Sequence, residues 1–234
     1  MKAPLTASEA GRWLAVVVFA IAMAWVESSV VFYLRTMIGR IDPYQPNPLP
    51  VSAGFAKAEL IREVATMVML ATVGWLAGRN ARARFGYFLV AFGVWDIGYY
   101  VFLKPLTGWP RTLLDWDVLF LIPLPWWGPV VAPCLIATLM IVFGTLVTQF
   151  VSDVHDAWPR QASAVACSVG MALALYVFVA DAIKVVTQGE TGLRQMLPAR
   201  FNWPLFGVAL LLLAVPVLDV AKQVHLSRNM PSTD

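Results

Sequence analysis

Long apolar runs separated by short polar connections make up most of the chain. Each run approaches the roughly 20 residues that an α-helix needs to cross the hydrocarbon core of a bilayer. Backbone groups in lipid must hydrogen-bond within their own segment, so each run is predicted to be helical. The pattern predicts six transmembrane helices, at about 12–34, 60–78, 85–104, 130–151, 162–184 and 203–221.

The segment between the third and fourth runs departs from this pattern. From Val118 to Ser152 the chain carries no charge, which is too long for one crossing and too short for two crossings with a turn. The dipeptide Trp-Pro precedes apolar runs, and a tryptophan at the membrane interface followed by proline favours a helix start. Its copy at 109–110 predicts a short helix over about 110–122, ended by Pro123. That helix would either lie along the interface or enter the membrane and return.

Composition agrees with the hydropathy pattern. Hydrophobic residues form 59% of the chain, charged residues only 13%, and the mean hydropathy is +0.71. A soluble domain carries about a quarter charged residues, so the lipid bilayer is the expected surrounding of this chain. The sequence therefore predicts an all-α, polytopic integral membrane protein in which residues 1–234 form a single transmembrane domain.

Charge placement predicts the orientation of the chain. The connection 79–84 holds three arginines and no acid, which is typical of a cytoplasmic loop. With six crossings, this places both termini in the cytoplasm of a multi-pass protein of the cell membrane.

Several classes of function are excluded or disfavoured by what the sequence lacks. The net charge of +3 and the pI near 9.0 fit arginines that flank spans, and no basic stripe with interleaved aromatics indicates nucleic acid. The two cysteines lie in apolar runs, the two histidines lie in polar connections, and no nucleotide or zinc motif occurs. No cofactor is evident, although acidic residues could provide oxygen ligands to a hard cation.

Acidic residues within the spans are the main candidates for a site. On the predicted topology, Glu27, Glu63 and Asp96 all fall in the outer half of the membrane. A charged side chain at that depth costs about 2.5–3.5 kcal/mol even on the most lenient scale, and marks a functional position by default. Tyr99 and Tyr100 share a helical face with Asp96, so their hydroxyls are predicted to donate to it.

Four further residues are secondary candidates, each with a structural explanation. Asp181 is three residues from Lys184, so a local ion pair on one helical face accounts for it. Asp115 and Asp117 would suit the first turns of the predicted short helix. Arg62 would pair with Glu27 or Asp96 across helices, which would make the acids a structural network.

Three functions remain compatible with these residues. The first is binding or transport of a proton, a cation or a small solute at the outer carboxylate cluster. The second is an intramembrane enzyme that acts on a lipid or isoprenoid substrate by general acid or divalent-metal chemistry. The third is a non-catalytic subunit of a membrane complex or of a homo-oligomer. The sequence favours the first and leaves open whether the protein is an enzyme.

Overall fold

The computed structural model describes residues 8–46, 53–122, 124–150, 158–198 and 200–229. Within this part of the chain, six helices are long and apolar enough to cross a membrane, which confirms the predicted number. A shorter helix and a 3-10 turn, Val186–Gln188, lie between the last two of them. The seven helices are α1 (Glu9–Met37), α2 (Ala53–Ala77), α3 (Ala81–Thr107), α4 (Val131–Gln149), α5 (Gln161–Val185), α6 (Gly189–Gln195) and α7 (Trp203–Asn229).

Local hydrogen bonds set several helix ends. The Ser8 side chain accepts from the backbone N–H of Gly11 at 3.0 Å, and that of Asn80 accepts from Ala83 at 2.9 Å, so α1 and α3 begin at capped positions. Gly108 ends α3 with φ of 75°, a left-handed conformation that glycine adopts at little cost. These polar ends extend α1 and α3 by several residues beyond the predicted apolar runs.

The predicted short helix over 110–122 is wrong, because this segment forms one side of a β-hairpin. Strand β1 (Trp116–Val118) pairs antiparallel with β2 (Trp127–Pro129), and Asp117 lies opposite Gly128. Further backbone hydrogen bonds join Leu119 to Trp126 at 2.8 Å and extend the pairing beyond both strands. Pro123, which was predicted to end the helix, lies outside the described residues.

The hairpin forms because this sequence favours a turn and then extended backbone. The Asp115 carboxylate accepts from the backbone N–H of Arg111 at 2.8 Å and from the Thr112 hydroxyl at 2.9 Å, which closes a turn where a helix would have begun. The prolines that follow would each remove a hydrogen bond from a helix. Paired strands instead satisfy the backbone of an enclosed segment without helical geometry.

The bundle is organised around α3, which packs against α1, α2 and α4, while α5 packs on α7 and α4 joins the two groups. Two glycines permit the closest contacts. A Cβ at Gly74 would lie 2.7 Å from the backbone nitrogen of Phe88, and one at Gly170 would lie 2.9 Å from the Ala209 carbonyl oxygen. Small residues therefore allow α2 to approach α3, and α5 to approach α7.

The two ends of the bundle differ in construction. The hairpin end carries the β-hairpin, the connection 38–46 and the described residues between α5 and α7, and the terminal end carries the start of α1 and the connection 78–80. The hairpin lies between helices rather than beside them. Phe120 packs against Phe92 and Trp95 of α3, and Trp126 stacks on Phe178 of α5 with ring centroids 6.2 Å apart. The hairpin thus connects the two groups of helices.

Candidate functional site at the hairpin end

Glu27 is held in a network of charges between α1 and α2. Its carboxylate pairs with the Arg62 guanidinium, which also pairs with Glu59 one turn earlier on α2. The Thr66 hydroxyl lies 3.4 Å from the second Glu27 oxygen. Of the two pairings predicted for Arg62, the structure has the one with Glu27. This group of residues is the Arg62 network.

Glu63 holds the tip of the hairpin. Both of its carboxylate oxygens accept from the backbone N–H of Leu121, at 3.0 and 3.1 Å. Leu121 follows directly after the last residue that pairs across the hairpin, and its N–H has no backbone acceptor among the described hairpin residues. An acid predicted as a binding residue therefore connects α2 to the hairpin.

Asp117 and Arg35 form a second, more deeply buried pair. The Arg35 guanidinium donates to Asp117 at 2.8 Å and to the Tyr99 hydroxyl at 3.3 Å, and its carbon lies 4.4 Å from the centroid of a Trp109 ring. The Asp117 side chain is only 1% exposed. Burial raises the pKa of Asp117, while Arg35, the Val118 N–H and the Tyr100 hydroxyl act in the opposite direction. This group of residues is the Arg35 network.

Asp96 differs from the other acids of the bundle interior. Its Oδ2 atom is shielded from solvent and accepts no hydrogen bond from the described residues. Asp117 Oδ2 shares this property, but the other carboxylate oxygen of Asp117 is paired with Arg35. Asp117, Tyr100 and Cys134 lie within electrostatic range, but none of them is a cation. Asp96 is therefore a carboxyl group for which the described part of the chain provides no neutralising partner.

The prediction that Tyr99 and Tyr100 donate to Asp96 is wrong. The Tyr99 hydroxyl accepts from Arg35 instead, and the Tyr100 hydroxyl lies close to Asp117. The two rings contact each other edge to face, with centroids 4.8 Å apart. Tyr100 does lie within electrostatic range of Asp96, but its hydroxyl is close to the hairpin aspartate, and the Tyr99 hydroxyl contacts the α1 arginine.

The two networks and Asp96 belong to one charged region. Electrostatic interactions connect Glu63 with Glu27 and Arg62, and connect Tyr99 with both arginines. Among the described residues, the region contains five carboxyl groups and two guanidinium groups. The acids are Glu27, Glu59, Glu63, Asp96 and Asp117, and the cations are Arg35 and Arg62. If every acid were ionised, this interior would carry a net negative charge, which is costly where the dielectric constant is low.

The remaining candidates have local structural roles. Asp181 pairs with Lys184 at 2.6 Å, as predicted. Asp115 closes the turn before β1, and its Oδ2 also contacts the Arg111 guanidinium at 3.3 Å. Neither reaches the charged region. Arg35 was not identified from the sequence, because a basic residue in the last turn of a helix is ordinary and its partner Asp117 is 82 residues away.

The donors are not arranged as a metal centre. Among the described residues, no group of three or more histidine, cysteine, aspartate or glutamate side chains could hold a metal ion. Comparison with known proteins adds no further constraint, since no family model, no curated protein and no solved structure matches this chain. The site must therefore be interpreted from its own geometry.

Proposed function

We propose that this protein is a multi-pass membrane protein that takes up a proton or a small singly charged cation at Asp96, from the side of the hairpin end. The observation that carries the proposal is the Asp96 carboxyl group, whose buried Oδ2 accepts no hydrogen bond and which pairs with no cation among the described residues. A carboxylate in such surroundings is either neutralised by a proton or paired with a cation.

The balance of charges around Asp96 supports the proposal. Five carboxyl groups and two guanidinium groups share the region, so added positive charge lowers its electrostatic energy. Arg35 and Arg62 are already engaged with Asp117, Glu27 and Glu59. The added positive charge therefore has to come from outside the described side chains, and Asp96 is the acid best placed to receive it.

The donor arrangement favours a proton or a singly charged ion over a chelated divalent ion. A hard divalent cation in proteins takes six or more oxygen ligands, often from several carboxylates. Asp96 and Asp117 come within electrostatic range of each other, but Asp117 is committed to Arg35. A divalent ion at Asp96 would need most of its ligands from water or from a solute.

A second candidate function follows from the aromatic rings beside the site. Phe120 lies 5.4 Å from Trp126 and 6.5 Å from Trp95, measured between ring centroids, and joins the two in a continuous aromatic surface. Aromatic faces stabilise cations. An intramembrane enzyme that protonates a lipid or isoprenoid substrate could use Asp96 as general acid and this surface to shelter the developing positive charge.

Infrared difference spectroscopy tests the main proposal. Protein in nanodiscs is titrated with acid, or with Na⁺ or K⁺ at constant ionic strength, while the carboxyl C=O stretch is followed. The Asp96→Asn variant is expected to lose one titrating or cation-sensitive band of the unmodified protein. Asp181→Asn is the matched control, because that carboxylate already has Lys184 as its partner.

The same variants distinguish the candidate functions. In liposomes containing a trapped pH dye, proton flux that Asp96→Asn abolishes supports passage through the site. A titrating Asp96 without flux favours the enzyme. If Asp96→Asn retains every band and the pH-dependent stability of the parent, Asp96 takes up neither proton nor cation, and the structural-subunit interpretation gains support.

Cysteine labelling tests the proposed orientation. In a chain whose Cys134 and Cys167 are replaced by serine, cysteines at Pro46 and Gly108 should react with an impermeant reagent added outside the cell. A cysteine at Ala83 should stay protected. Labelling of position 83 alone would reverse the orientation.

A further inference from the structure

Three arginines surround the connection between α2 and α3 at the terminal end. Arg79 has a side chain that is 61% exposed, Arg82 is exposed, and Arg84 is partly buried. Among the described residues, the acid paired with Arg79 is Glu9, at 3.8 Å, and that carboxylate is already paired with Arg12 and accepts from Tyr87. The residues 79–84, called the arginine turn, therefore carry more positive charge than the described acids around them neutralise.

Two of these arginines are stacked on tryptophan rings. The guanidinium carbon of Arg84 lies 3.7 Å from the centroid of a Trp75 ring, and that of Arg82 lies 5.4 Å from Trp158. Stacking fixes the plane of a guanidinium group while its N–H donors point outward from the edge. Arg84 uses Nε to donate to the Gly78 carbonyl at 3.3 Å, which further fixes its position.

An apolar surface continues along α2 from the arginine turn. Trp75 is 62% exposed and Leu76 is 78% exposed. On a helix that crosses a membrane, such residues face the acyl chains of the lipid. Tryptophan itself prefers the level of the headgroups. The cationic donors therefore lie next to an exposed apolar surface. A phospholipid has the same arrangement, with its phosphate next to its acyl chains.

We propose that the arginine turn binds the headgroup phosphate of an anionic phospholipid, whose acyl chain lies on the surface formed by Trp75 and Leu76. Guanidinium groups match phosphate oxygens in a bidentate geometry. The anionic headgroup is selected over a zwitterionic one because Arg79, Arg82 and Arg84 have no free acid beside them among the described residues. This inference is independent of the proposed function, since Asp96 lies near the middle of α3, twelve residues along the helix from Arg84.

Native mass spectrometry of the detergent-purified full chain tests this site. The protein is titrated with phosphatidylglycerol or with phosphatidylcholine of the same chain length. The unmodified protein is expected to prefer phosphatidylglycerol, and Arg79→Gln/Arg82→Gln is expected to lose about fivefold of that preference for each arginine. This factor corresponds to roughly 1 kcal/mol for each basic side chain near a membrane surface.

A control with the same loss of charge separates a site from a general field. Arg111→Gln/Lys184→Gln removes two cations from the hairpin end, with side chains that are 69% and 70% exposed. This variant should retain the full preference. Equal binding of both lipids by the unmodified protein, or an equal loss in the control, would overturn the proposal.

Two further measurements keep the test decisive. Arg82→Lys/Arg84→Lys preserves charge but removes the planar donors, so it should lose part of the preference even if the glutamine variant does not fold. Full preference in the lysine variant would overturn the stacked phosphate contact. Inorganic phosphate added at millimolar concentration should not displace the lipid, and displacement would show that the turn binds free phosphate instead.

Discussion

The acids at the two ends of the bundle differ in how their charges are satisfied. At the terminal end, Asp219 accepts from the Arg160 backbone N–H at 2.8 Å and from the Ser163 hydroxyl at 2.7 Å, and Glu9 pairs with Arg12. Both of these acids have donors of their own. In the charged region at the hairpin end, the described residues provide five carboxyl groups and two guanidinium groups, and Asp96 has neither a guanidinium partner nor a hydrogen bond to its Oδ2. An acid within a span therefore indicates a site only when its surroundings leave it unsatisfied.

This difference arises from where the partners lie in the chain. Glu9 and Arg12 are three residues apart on one helix, which any sequence of that spacing provides. The partners at the hairpin end come from α1, α2, α3 and the hairpin, and Arg35 and Asp117 are 82 residues apart. Because the network is assembled from four elements, a shift of any one of them disturbs its contacts.

The largest difference between the ends is expected on removing an arginine. Arg35→Gln leaves the buried Asp117 without its cation, and breaking a buried pair in this way costs about 3–5 kcal/mol. Arg12→Gln breaks the pair with Glu9, whose carboxylate is 34% exposed, and should cost no more than about 1 kcal/mol. Denaturant unfolding in detergent measures both values. Equal losses of unfolding free energy would mean that the ion pairs at the two ends contribute equally to stability.

The same variant has a predictable pH dependence. Arg35 lowers the pKa of Asp117 against the effect of burial, so its removal raises that pKa further. An acid whose pKa is raised by folding contributes stability at low pH that is lost as the pH rises through the folded-state value. Arg35→Gln should therefore be least stable at high pH, and adding Asp117→Asn should remove this slope. A slope that survives the second substitution would assign it to another group.

The helices could be predicted from the sequence, because in lipid a long apolar run has few alternatives to a helix. The hairpin could not. Trp203-Pro204 does begin a helix, as Trp109-Pro110 was predicted to do. The difference lies in the residues that follow, where Asp115 closes a turn onto Arg111 and Thr112. Such side-chain contacts depend on local geometry that hydropathy does not record.

The candidate site was predictable in its members but not in their roles. From their positions within the predicted spans, Glu27, Glu63 and Asp96 were expected in the same half of the bundle. Spacing alone could not show that Glu27 is paired, that Glu63 holds backbone, and that only Asp96 lacks a partner. Those distinctions depend on Arg62 and Leu121, which reach the acids only through tertiary packing.

A smaller effect is expected from two carboxylates that each hold the backbone of a neighbouring connection. Glu63 accepts from Leu121, and Asp219 accepts from Arg160. Glu63→Ala leaves the Leu121 N–H without an acceptor, which costs about 1–3 kcal/mol. Hydrogen exchange at Leu121 should accelerate, whereas Asp219→Ala should accelerate exchange at the start of α5 instead.

The conservative variant separates hydrogen bonding from charge. Glu63→Gln retains one carbonyl oxygen that can accept from Leu121, so it should keep slow exchange at that amide. If glutamine behaves like alanine, the negative charge of Glu63, rather than its hydrogen bond, holds the hairpin.

The smallest effect is expected at Asp115, which is two residues from Asp117 but belongs to the turn 111–115, whose first four residues are exposed. Although partial burial acts in the opposite direction, the Arg111 N–H, the Thr112 hydroxyl and the Arg111 guanidinium donate to Asp115 and hold its pKa below the ordinary value. A lowered pKa contributes stability above the unfolded value of about 3.9, and this stability is lost as the pH falls through the folded value. The turn 111–115 should therefore open on acidification, whereas protonation of Asp117 favours the folded state.

Amide exchange of the turn at pH 6 and at about pH 3 measures this opening. Asp115→Asn should make the two exchange rates nearly equal once they are corrected for intrinsic exchange. Opening of the turn at high pH instead would mean that burial, as at Asp117, determines the charge of Asp115.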